Sequence, residues 1–195
     1  MLAYQLTKEN ITGKDLLAII PSHLHWDHAG GLPDFPSTPI WAQQQSIKEA
    51  TEFGHRPAYL PELLTNTGQW QSLELDEKPY QGFTRSKDLF NDGQLILVDL
   101  EGHTPGHLGL FINLSSGKRY FLIGDATWTE KGYKENSPRP DVISWLAPVD
   151  WNFEENSQII QKIHDLNKQQ PDLIIVPAHD EFAAERIPHF PERAY

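Results

Sequence analysis

The sequence predicts an α/β fold, with strands and helices mixed in order and packed in layers. Two observations carry this. Short apolar runs bounded by turn residues, at 16–20, 95–98, 120–123 and 173–176, have the length and flanks of buried strands. Between the last two, over 152–170, Ile159, Ile160, Ile163 and Leu166 recur at helical spacing until Pro171 stops the pattern. Elements that alternate in this way belong to layered sheet-and-helix domains.

Taken in order, residues 1–10 predict a short helix with Leu2, Leu6 and Tyr4 on one side, followed by a turn around Gly13. Residues 16–20 are apolar throughout and end at Pro21, as a strand buried on both faces would. A His-rich polar segment follows, then Gly30, Gly31 and three prolines up to Pro39. Residues 40–42 predict a short strand and 44–53 a helix. Residues 54–93 read as long loops with one short strand near 70–75. Beyond the turn at Asp92-Gly93, strands are expected at 95–98, 108–114 and 120–123, the last two joined by a turn over 115–118. Residues 130–148, rich in proline and charge, read as a surface loop. The helix over 152–170 and a strand at 173–176, ended by Pro177, complete the list. No repeat or low-complexity tract interrupts the chain, and its length fits one domain or two small ones, with residues 1–195 expected as a single domain.

Composition narrows the function. With 38% hydrophobic and 22% charged residues the chain has the make-up of a globular protein. Its 16 Lys and Arg against 27 Asp and Glu give a formal charge of −11, which repels phosphate backbones and anionic membranes. The expected partner is therefore a small molecule rather than nucleic acid or a membrane. Cysteine is absent, which rules out disulfides, thiol catalysis and thiolate metal sites. No apolar run approaches the roughly 18 residues of a spanning helix. The start of the chain lacks the basic and apolar segments of a signal peptide, so the sequence as written is expected to be soluble and cytoplasmic. Oligomeric state leaves no mark in it.

The chemistry concentrates at strand ends. His23-Leu24-His25-Trp26-Asp27-His28 places three imidazoles and a carboxylate in six positions, just past a predicted strand and before Gly30-Gly31. Ligand sites of α/β sheets gather at such carboxyl ends. Imidazole and carboxylate together suit zinc or another borderline divalent ion, whereas a solvated polar loop has no need of clustered histidines. Three more polar groups follow apolar runs: His103 in Gly102-His103-Thr104-Pro105-Gly106, Asp125 after Gly124, and His179 after Pro177-Ala178. His107, close to His103, is an alternative ligand by spacing alone.

These motifs resemble those of the metallo-β-lactamase fold superfamily of metal-dependent hydrolases. His-x-His-x-Asp-His followed by Gly-Gly matches residues 23–31, the Gly-His-Thr-x-Gly context matches 102–106, Gly-Asp matches 124–125, and the last histidine matches His179. The resemblance covers about residues 10–180 and implies an αββα sandwich. It further implies that His23, His25 and His103 bind one ion, that Asp27, His28 and His179 bind a second, and that Asp125 bridges both with a hydroxide. Zinc is the expected metal, since His25 stands where redox di-iron relatives carry a carboxylate; iron and manganese are the alternatives. Asp27 would also act catalytically, orienting the water and shuttling a proton. Family members carry several strands before the first motif and this chain has 22 residues there. The sandwich is thus expected to be N-terminally incomplete, and a missing segment would leave the periplasm open as well as the cytoplasm.

The function so implied is a binuclear zinc hydrolase whose metal-bridging hydroxide attacks a small carbonyl substrate: a lactone, ester, thioester or β-lactam. The alternatives are a small-molecule phosphodiesterase and a metal-binding but catalytically silent chain. Within the family pattern His103 is the ligand and His107 a supporting or structural residue. Trp128 and His107 are the candidate substrate contacts. Trp128 stands three residues after Asp125, where some lactone-cleaving members have a tyrosine that bonds the substrate oxygen. Asp180 reads equally as a support for His179 and as a solvated loop residue. His164 reads as a core-edge histidine, His55 and His189 as surface residues, and Lys131, Lys134 and Arg139 as solvated loop charges.

Overall fold

Strand pairing in the computed structural model, which describes residues 2–52, 58–65, 67–139 and 149–192, separates two compact units, Met1–Glu74 and Leu75–Tyr195. The first opens with helix α1 (Leu2–Lys8), whose Leu2 and Tyr4 are exposed. A single turn of helix over Gly13–Asp15 follows, started by the Thr12 N–H and hydroxyl donating to the Asp15 carboxylate at 2.8 and 2.7 Å. These bonds hold the Asp15 carboxyl below the usual carboxylate range.

Residues 16–20 are not the expected strand buried on both faces. Only Ile19 pairs, bridging to Ile40 in parallel, and Leu17 is 62% exposed. The flanking prolines explain why the ladder stops there. Pro21 and Pro39 carry no N–H, so the register offers just Ile19 N–H to the Pro39 carbonyl and Trp41 N–H to the Ile19 carbonyl. Strand β1 (Ile40–Ala42) pairs in parallel with β2 (Trp70–Ser72), and helix α3 (Gln44–Glu52) follows β1 in the chain. The core of this unit is small: Leu24, Ala29, Leu32, Ile40, Ala50 and Tyr59.

The second unit is a five-stranded sheet in sequence order: β3 (Ser86–Asp88), β4 (Leu95–Asp99), β5 (Leu108–Asn113), β6 (Arg119–Gly124) and β7 (Ile174–Pro177). Pairing is antiparallel up to β6 and parallel between β6 and β7. The register lines Ile96, Phe111, Phe121 and Ile175 across β4 to β7, one from each of these four strands. Paired residues face the same side, so these four form one apolar row. The Phe111 and Phe121 rings stack at 3.9 Å between centroids with 7° between planes.

Helix α4 (Glu130–Lys134) and helix α5 (Phe153–Gln169) precede β7, and α6 (Glu181–Ala184) follows it. Asn152 caps α5 by accepting from the N–H groups of Glu154 and Glu155, and Ile159, Ile163 and Leu166 join the sheet row in one core. Several short elements were not expected from sequence, the helices over Trp26–Ala29 and Glu181–Ala184 among them. β3 lies in a region read as loop, and α4 begins the supposed surface loop at 130–148 with Tyr133 fully buried. Residues 140–148 of that expectation, His55 and the end of the predicted helix at 53 lie outside the described residues.

Candidate metal centre

In the first unit, Leu24 turns into the core and so fixes the chain around it. His23 and His25 flank the buried Leu24 and are themselves buried, and the backbone at His25 is extended. His23 Nε2 and His25 Nδ1 come within 3.1 Å. His25 then caps α2 (Trp26–Ala29), a single turn that carries Asp27 and His28 back toward His23. The His23 and His28 rings lie 4.0 Å apart, and His28 Nε2 is 3.7 Å from Asp27 Oδ2. Ser22 Oγ lies 3.2 Å from His23 Nδ1 and 3.5 Å from His28 Nδ1. Three imidazoles this close repel when protonated; neutral, they present lone pairs in a donor set suited to a divalent ion.

In the second unit, His103 sits on the loop after β4. Gly102 makes that loop possible: its φ is +142°, and a Cβ there would lie 2.5 Å from the Asn156 backbone nitrogen of α5. With Gly102 in place, the N–H groups of Trp151 and Asn152 donate to the carbonyls of His103 and Gly102, both at 2.9 Å. Asp125 follows β6, and His179 follows β7. Asp125 Oδ2 is 3.2 Å from His179 Nε2 and 3.7 Å from His103 Nε2. His103 and Asp125 are buried and His179 is about two-fifths exposed, with 41% of its side chain accessible.

The surroundings of His103 hold what the sequence concealed. His103 Nδ1 lies 2.9 Å from Asp150 Oδ1. A carboxylate can only accept, so Nδ1 carries a proton, and Nε2 faces Asp125. A carboxylate behind a histidine is the usual support of a metal ligand. Asp150 in turn accepts from Arg139 Nη1, and Arg139 Nη2 donates to the Asp125 carbonyl at 2.5 Å. Arg139 is therefore not the expected solvated charge; only 6% of its side chain is exposed. Neither residue has a spacing that marks it, because each works through contacts distant in sequence.

His107 is fully buried. Its Nδ1–H donates to the Leu100 carbonyl at 3.2 Å, and its Nε2 accepts from the Asp125 N–H at 3.3 Å. Both ring nitrogens are engaged within the fold, one of them with the Asp125 backbone. Trp128 is partly exposed, stacks its ring under the Arg139 guanidinium at 4.7 Å, and lines a cavity of about 270 Å³ with Thr127, Gly132 and Ile160. Asp180 turns away from a supporting role for His179 and spends its oxygens on backbone N–H groups of Ala183 and Glu130. His164 Nδ1–H donates to the Tyr133 carbonyl at 2.9 Å, and His189 is exposed. Lys131 and Lys134 are exposed and pair along α4 with Glu135 and Glu130.

Comparison with known proteins agrees with this chemistry. The family model of the metallo-beta-lactamase superfamily matches residues 1–179. An N-acyl homoserine lactonase of Bacillus thuringiensis is 33% identical over 124 residues, 64% of this chain and 44% of its own length. A probable metallo-hydrolase of Mycobacterium tuberculosis is 29% identical over 190 residues, 91% of this chain and 59% of its own length. This chain thus spans about half the length of the curated relatives it matches. A solved N-acyl homoserine lactone hydrolase, with the product N-hexanoyl-L-homoserine at its catalytic metal centre, aligns with a TM-score of 0.74 at 26% identity. That alignment covers 97% of this chain and 66% of the other. Among the described residues no helix is long and apolar enough to cross a membrane. The family match spans every motif histidine and aspartate described above, and the fold agrees with it: the chain belongs to the metallo-beta-lactamase superfamily and has its layered α/β architecture.

Proposed function

We propose that this chain is a metal-dependent hydrolase with a dinuclear zinc centre, acting on a small carbonyl substrate of which a lactone is the first choice. The observation that carries the reading is the complete donor set, His23, His25, Asp27, His28, His103, Asp125 and His179, arranged in two preorganised groups within the matched family span. His23, His25 and His103 would hold one ion, Asp27, His28 and His179 the other, and Asp125 both. Residues 1–195 would then work as a single domain. Two bound divalent ions supply Lewis acidity and bring the pKa of a coordinated water toward neutrality.

The chain's own residues do the rest. Asp150 keeps the proton of His103 on Nδ1, so that Nε2 is available as a ligand. His107 orients Asp125 through its backbone N–H. Asp27 is the most exposed carboxylate of the set and can take a proton from the nucleophile and return it to the leaving oxygen. Trp128 presents an apolar face and an indole N–H but no phenolic hydroxyl, so the substrate oxygen cannot be met as it is in lactone-cleaving members with tyrosine there.

Purified protein should carry about two zinc ions per chain by elemental analysis. It should open N-hexanoyl homoserine lactone or cleave a p-nitrophenyl ester, and chelator should abolish turnover. Asp27→Ala should remain folded by circular dichroism and lose turnover. Cleavage of bis(p-nitrophenyl) phosphate alone would move the reading to phosphodiester hydrolysis, and a metal-free, inactive chain would overturn it.

A further inference from the structure

We infer that Arg139 is a positioning residue of the metal centre, acting through Asp150 on His103 and directly on the Asp125 backbone. The inference rests on the dinuclear reading above. Its basis is geometric. One buried guanidinium donates to Asp150 and to the Asp125 carbonyl, and Asp150 receives the Nδ1–H of His103. The two ligands concerned come from different loops, after β4 and after β6, and Arg139 ties their supports together.

The fork of an arginine suits this task. Its N–H donors are fixed in one plane, so holding one acceptor sets the place of the other. Asp150 has only 4% of its side chain exposed, and Arg139 supplies the opposite charge that a carboxylate needs in such a place. The guanidinium carbon also lies 4.7 Å from the Trp128 ring centroid, which limits its movement on that side. Lysine can balance the charge but cannot hold both acceptors in a fixed plane. Methionine fills similar space and does neither.

The test is zinc binding to the full 195-residue chain, measured by competition with a chromogenic chelator, with the melting temperature of the metal-free protein followed alongside. The wild type should bind two ions. Arg139→Met should bind one of them about ten- to a hundredfold more weakly, the usual loss when an outer support is removed. Arg139→Lys should recover part of that loss. Asp150→Asn should weaken the same ion, and the double variant should lose less than the two single losses combined, because both act through one chain of contacts. If Arg139→Met proves too unstable to assay, Arg139→Lys and Asp150→Asn carry the same comparison.

A wild type with two ions and variants of unchanged affinity would overturn the role of Arg139 and leave the dinuclear reading standing. The same holds if the variants lower only the melting temperature of the metal-free chain, the mark of a purely structural ion pair. A wild type that binds no zinc would overturn the dinuclear reading and this inference together.

Discussion

Asp180 shows how one side chain can serve the fold beside a ligand without serving the ligand. Its Oδ1 accepts from the Ala183 N–H at 3.0 Å and caps α6, while its Oδ2 accepts from the Glu130 N–H at 2.7 Å and fastens the start of α4. Loss of a capping carboxylate costs about 1 kcal/mol, so losing both bonds should cost about 2 kcal/mol. Asp180→Ala should therefore melt about 4–8 °C lower while binding zinc as the wild type does. Unchanged melting with lost zinc would restore the role of a support for His179. Four of the seven proposed ligands were legible in residue type and short spacing, since three histidines and an aspartate in six positions need no fold to be noticed; His103, Asp125 and His179 were picked out by the family resemblance. Arg139 and Asp150 were not legible. A lone arginine and a lone aspartate in a proline-rich stretch look like any surface pair until the fold brings Asp150 to His103, 47 residues away in sequence.

Elements were legible where apolar residues repeat. α5 has a capping Asn152, isoleucines at helical spacing and Pro171 beyond its end, and it formed as read. The central strands follow the same logic, each a run of apolar residues between turns. α4 escaped because five residues, only one of them large and buried, contain no measurable period. β3, with the sequence Ser-Lys-Asp, escaped because it has no apolar signature and exists through its ladder to β4. Residues 16–20 erred the other way, an apolar run whose neighbours lack the donors to extend a ladder. The anchor of α4 gives a test. Burial, and secondly the charge of Asp180, raise the Tyr133 hydroxyl above its ordinary 10.0. The folded chain thus holds this proton more tightly than the unfolded chain. The resulting stability is fully present below pH 10 and is lost as the pH rises beyond it. Wild-type melting temperature should fall more steeply above pH 10 than that of Tyr133→Phe, and parallel curves would show that Tyr133 ionises as freely folded as unfolded.

At the scale of the whole molecule, the layered α/β class was legible from the order of strands and helices, but the division at Glu74 and Leu75 was not, because composition does not change there. The Met1–Glu74 unit has a two-stranded sheet and a core of few side chains, and units of that size are marginal on their own. Metal held by the proposed ligand set should stabilise the folded chain. Two divalent ions also relieve self-repulsion, taking the formal charge from −11 to −7. At a hundredfold excess over the dissociation constant, a bound ion adds about 2.7 kcal/mol, which in a chain of this length raises the melting temperature by about 5–10 °C. Calorimetry should show one sharp transition with zinc. After chelation the transition should move down and broaden. Identical melts with and without zinc would mean that the folded chain does not bind the metal, and the dinuclear reading would fall with it.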